Sequence, residues 1–136
     1  MQKLASLMVS LVVVAGSSWA QGPEEAAQTA AETWLELVDN ELYEESWAQA
    51  SELFKGAVTQ EAWRQAASGA RKPLGALVSR KLKSRTYTKQ LPGAPDGQYV
   101  VIQFEAVFEN KASAVETVTP MRDPDGTWRV SGYYIR

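Results

Sequence analysis

Cysteine and histidine are both missing from the 136 residues. Without cysteine there is no disulfide, no thiolate nucleophile, no zinc–thiolate site and no residue to carry a lipoprotein-type lipid. Without histidine there is no Ser-His-Asp triad, no imidazole metal ligand and no side chain that ordinarily titrates near neutrality. An enzyme built from this chain would have to work with Asp, Glu, Tyr or Lys, which disfavours catalysis. Glycine-rich phosphate loops are absent too, since Gly93-Ala-Pro-Asp-Gly97 is turn chemistry and not a nucleotide motif. No cofactor is implied by any motif.

Long apolar runs are equally scarce. The only sustained one, Leu4 to Ala15, is shorter than the roughly 20 residues a membrane span needs. It follows Lys3 and precedes Ser18-Trp19-Ala20, the small-residue pattern of a secretory leader cut before Gln21. The expectation is therefore a leader over residues 1–20 and a single exported domain over 21–136, with no membrane insertion after cleavage. The chain carries 14 basic and 16 acidic residues; without Lys3 the balance is 13 against 16. That negative sum, with the expected export, argues against a nucleic-acid partner.

What the chain does hold is an ordered change of period. From Pro23, residues Ala27, Ala30, Ala31, Trp34, Leu35 and Val38 recur at spacings of three and four and predict a first helix ending at Asp39-Asn40. A second helix is predicted over Tyr43, Ser46, Trp47, Ala50, Leu53 and Phe54, ending at Gly56. Thr59 is the N-cap of a third, with Ala62, Trp63, Ala66 and Ala70 inward; Arg71 and Lys72 suit its negative end, and Pro73 stops it. Beyond Leu74 the period falls to two. Four strands are expected: Leu74–Lys89, Tyr99–Glu109, Ser113–Met121 and a last strand after the Arg122-Asp-Pro-Asp-Gly126 turn. Strict alternation in that last strand sends Trp128, Val130, Gly132 and Tyr134 to the helix side, and Arg129, Ser131, Tyr133 and Ile135 away from it. The fold class is α+β, three N-terminal helices packed on a four-stranded antiparallel sheet.

The stretches SELFKGAVTQEAWRQA, PLGALVSRKLKS, LPGAPDGQYVVIQFE and GTWRVSGYYIR resemble the bacterial domain-of-unknown-function family 4019, a likeness running from about Ala27 to Arg136. The resemblance implies an exported bacterial protein, in the periplasm or secreted, with a nuclear-transport-factor-2-like, cystatin-like cone. In that architecture helices lie across a curved antiparallel sheet and often enclose a pocket. It carries over no catalytic residue. The Ser68-Gly69 pair departs from a good helix former late in the third helix.

Charge is split along the sequence. Glu24 to Glu61 holds ten acids against Lys55 alone, and Arg64 to Lys89 holds eight basic residues and no acid. Alternation places Lys81, Lys83 and Arg85 on one face of the first strand, about 6–7 Å apart. That row is either a docking surface for an anionic partner or a solvated face whose lysines guard an edge strand. Arg80, sharing a face with Leu74, Ala76, Val78 and Leu82, points at the helices and needs a buried partner, for which Glu116 is the candidate. The pair is either the polar floor of a ligand pocket lined by Trp34, Trp63, Phe104 and Tyr134, or a purely structural ion pair. Asp123, Asp125 and Gly126 loosely follow a calcium loop, but Pro124 intervenes and the downstream glutamate is missing, so no metal is expected. Two functions follow: a small-molecule binding domain with its pocket between helices and sheet, or an envelope protein-interaction module using the basic strand face.

Overall fold

The computed structural model describes residues 22–136, so the expected leader lies outside the described residues. Four α-helices come first: α1 (Pro23–Asp39), α2 (Tyr43–Ala48), α3 (Glu52–Ala57) and α4 (Gln60–Arg71). A 3₁₀ turn (Lys72–Leu74) leads into β1 (Leu77–Thr88), β2 (Tyr99–Phe108), β3 (Lys111–Arg122) and β4 (Trp128–Ile135). The strands pair antiparallel in sequence order, making an open α+β sheet with β1 and β4 at its edges.

The helical half contains one helix more than expected, because the second splits. Ser51 accepts a hydrogen bond from Phe54 N and caps α3, while its own N–H donates to Val130 O of β4 at 2.9 Å. The break at Gln49–Ser51 is thus where the helical layer is tied to the sheet. The inner face of α4 is also rotated from the expected one. Trp63, Ala67 and Arg71 are buried at a spacing of four, whereas Ala62, Ala66 and Ala70 are exposed. Gly69 does not end this helix, which continues to Arg71.

In the sheet, β2 keeps its alternation: Val100, Ile102, Phe104, Ala106 and Phe108 are all buried. The edge strands do not, because each carries extra residues. Val78 and Lys83 in β1 and Ser131 in β4 have no partner in the register of the neighbouring strand. Each such bulge exchanges the two faces from that point on. The Ser131 bulge brings Tyr133 inward and leaves Tyr134 61% exposed, which corrects the expected facing of the last strand. The Val78 bulge leaves Val78 64% exposed, although Arg80 still faces the helices.

The interior between the layers is filled by aromatic rings. Trp34 lies 5.6 Å from Trp63 and 5.5 Å from Tyr133, centroid to centroid, and Phe54 meets Trp63 edge-on at 5.1 Å. Ser46, fully buried, takes both indole N–H groups: its carbonyl accepts from Trp34 Nε1 and its hydroxyl accepts from Trp63 Nε1, each at 2.8 Å. Both tryptophans therefore bury their area without an orphaned donor.

Candidate functional site

Two regions of the molecule have the makings of a site. The first lies where the end of α1, the end of α4, β1, β3 and β4 converge. Arg80 Nε donates to Glu116 Oε1 at 2.7 Å, and its two terminal nitrogens donate to Asp39 Oδ1 and Oδ2 at 2.9 and 2.8 Å. Arg71 Nη2 adds a bond to Asp39 Oδ1 at 2.8 Å, and its guanidinium lies over the Phe108 ring, 4.7 Å from the centroid. The Tyr133 hydroxyl donates to Glu116 Oε2. Burial would raise the Asp39 pKa, but the hydrogen bonds from Arg80 and Arg71 outweigh it and hold the carboxyl below its usual value. For Tyr133, burial and then the Glu116 charge push the phenol well above its usual range. Two cations thus meet two carboxylates, each cation and carboxylate bonded within the cluster.

Sequence reasoning anticipated the Arg80–Glu116 pairing and missed Asp39 and Arg71. Asp39 was read as a helix break and Arg71 as a match to the helix dipole. Their phase held the signal: Ala31, Leu35 and Asp39, like Trp63, Ala67 and Arg71, recur every four residues on buried stripes. A recess of about 310 Å³ reaches the rim of this cluster past Asp39, Glu41, Arg71 and Lys72. Its two acids and two bases leave no net charge to draw a ligand. Trp34, Trp63 and Phe104 do not line an open interior pocket, because the space between them is taken by one another and by Tyr133. Tyr134 is on the solvent side and contributes nothing to that interior.

The second region is a cleft of about 620 Å³ between α1 and β4. Ala26, Thr29, Ala30 and Thr33 form a stripe of small residues along α1, opposite Trp128 and Val130, and Trp34 lines the same cleft. Small side chains on one wall and an indole on the other leave space that neither fills. Of the eleven lining residues only Arg129 is charged, and its guanidinium is already held by Asp123 at 3.0 Å and by Asp125 at 2.9 Å through each terminal nitrogen. The cleft is therefore apolar, with hydroxyl and amide groups from Thr33, Thr127 and Gln49 at its edges. Its size and make-up match those of small-molecule sites, which span about 300–1,000 Å³ and are mostly apolar with few polar groups.

Comparison with known protein families matches residues 30–133 to the family described as protein of unknown function (DUF4019). The chain belongs to this family. No curated protein and no solved structure matches it.

In this DUF4019 chain the expected row of three cations is not assembled. Lys81 faces outward and pairs with Glu105 at 3.2 Å. The Lys83 bulge turns Arg85 to the helix side, where it reaches Gln28 at 3.0 Å and Glu25 at 3.4 Å. Lys83 itself is exposed at the bulge. At the β3–β4 turn, Arg129 occupies the space between Asp123 and Asp125 that a cation would need. The hydrogen bonds from Arg129 hold the Asp125 carboxyl far below its usual range. Among the described residues no group of three metal-ligating side chains occurs.

Proposed function

We propose that this DUF4019 chain is an exported binding domain that holds a small, largely apolar molecule in the cleft between α1 and β4. The observation that carries the reading is the unfilled apolar space between the small-residue stripe of α1 and the Trp128 indole, beside an interior packed tight with its own aromatics. An indole wall favours a flat ligand, which it can stack against. Among the described lining residues no charge is unengaged, which favours an uncharged body. Export is supported by Lys3, the Leu4–Ala15 run and Ser18-Trp19-Ala20. The alternative of an interaction surface made by Lys81, Lys83 and Arg85 has less support, since Arg85 is turned to α1 and Lys81 is paired.

The test is a fluorescence titration of the purified chain with N-phenyl-1-naphthylamine, a flat uncharged probe that brightens out of water. Saturable binding is expected at micromolar concentration, and Trp128→Ala should weaken it about tenfold, consistent with the loss of one large stacking surface. Binding that is absent, or untouched by Trp128→Ala, would sink the reading.

A further inference from the structure

The cleft does not end at Trp128. A second recess of about 370 Å³ lies on the other side, lined by Pro23, Ala26, Gln98, Arg122, Gly126 and Trp128. Ala26 and Trp128 belong to both linings, so the two recesses adjoin with the indole between them. Among the six residues of the smaller recess Arg122 alone is charged.

Arg122 is placed by the hairpin. It is the direct cross-strand partner of Trp128 in the β3–β4 register, so the two side chains stand on the same face at neighbouring positions. Between the two strands the chain turns through Gly126 at φ 84°, and a Cβ there would lie only 3.4 Å from Arg122 Nη2. The guanidinium thus lies along the turn, on the same strand face as the indole. Among the described residues Arg122 has no carboxylate partner; Nε reaches only the Gly126 carbonyl, at 3.4 Å. The other arginine of the hairpin, Arg129, is held by two carboxylates. In the first turn of α1, Glu25 pairs with Arg85, and neither it nor Glu24 lines either recess.

We infer that the ligand of this groove is an amphiphilic anion, with an apolar body in the larger recess against Trp128 and a carboxylate, sulfonate or phosphate group reaching Arg122. The inference rests on the cleft reading above and adds the charge of the ligand and the residue that selects it. An exposed arginine discriminates by a fold-change that salt reduces, because its attraction acts through solvent.

Two probes separate the claims. 8-Anilinonaphthalene-1-sulfonate has the same aromatic body as N-phenyl-1-naphthylamine and differs by one sulfonate. The wild-type chain should bind the sulfonate about fivefold more tightly than the neutral probe at low salt, a preference of the size expected for one exposed ion pair. Arg122→Gln should abolish the preference, read as the ratio of the two affinities, and Arg122→Lys should retain most of it. Circular dichroism would confirm that both variants are folded. Equal binding of the two probes, or a preference that survives Arg122→Gln, overturns the assignment of Arg122 while leaving the cleft reading intact. Failure of both probes to bind removes the cleft reading and this inference together.

Discussion

The ionic cluster and the Trp128 groove divide the usual marks of a binding site between them. The cluster has charge, burial and strongly shifted ionisation, yet Asp39, Arg71, Arg80, Glu116 and Tyr133 bond to one another. The groove has no internal ion pair of comparable burial, yet it is the part left open, with an indole on its walls and an arginine that has no carboxylate partner among the described residues. Perturbed ionisation is often a pointer to function. Here it accompanies five elements locked to one another, with Arg71 Nε and Nη1 left as buried donors without a hydrogen-bond partner, while the open apolar surface lies elsewhere.

The largest expected effect breaks the cluster and spares the groove. Arg80→Leu leaves the Asp39 and Glu116 carboxylates buried against an apolar side chain, which should cost about 3–5 kcal/mol in urea unfolding. Naphthylamine affinity measured on the protein that remains folded should be unchanged. A cost below about 1 kcal/mol would mean the cluster is solvated and holds little.

Tyr133→Phe is the intermediate case, at about 1–2 kcal/mol for a lost hydrogen bond to a charged group. It also sharpens the pH dependence. Because the folded-state pKa of Tyr133 is raised, its contribution is complete below the unfolded value of about 10 and falls as pH rises past it. Asp39 has the opposite sign: its lowered pKa contributes above about pH 4 and is lost in acid. Stability should be nearly flat between about pH 5 and 9, where no histidine titrates. The alkaline slope should be shallower in Tyr133→Phe by about one proton. An unaltered slope would place the alkaline loss in Tyr43 or Tyr99, whose phenols are also raised, first by burial.

Lys83→Glu should have the smallest effect, within about 0.5 kcal/mol, because the side chain is exposed and forms no ion pair among the described residues. Probe affinity should not move. A loss of naphthylamine binding in this variant would tie the basic edge to the groove and dissolve the division between them.

The class of fold was legible because β2 and α1 obey simple periods: one alternates without interruption and the other repeats Ala27, Ala31, Trp34, Leu35 and Val38 on a single stripe. The Arg80–Glu116 pair was legible for the same reason, since each is a lone charge among apolar neighbours of like parity. What escaped was every feature set by a bulge. Nothing in SRKLKSR marks Lys83 as the residue to be skipped, so Arg85 was assigned to the wrong face. Nothing in WRVSGYYI singles out Ser131, although its hydroxyl donates to Thr119 O at 2.7 Å where the register slips. The groove escaped for a different reason. It arises from what Ala26, Thr29, Ala30 and Thr33 fail to fill, and empty volume is a property of two surfaces that lie a hundred residues apart in the chain.

The Ser131 bulge has a consequence for how this strand tolerates change in length. Tyr133 and Tyr134 are identical in composition and differ in fate only by the parity of the residues before them. Forcing Ser131 into the ladder would swap them, sending the phenol that meets Glu116 into solvent, whereas deleting Ser131 removes the unpaired residue and keeps Tyr133 opposite Val118. At Ser131 a one-residue deletion is therefore a milder lesion than at the paired positions of β4, because the unpaired residue absorbs it and the phase downstream is kept.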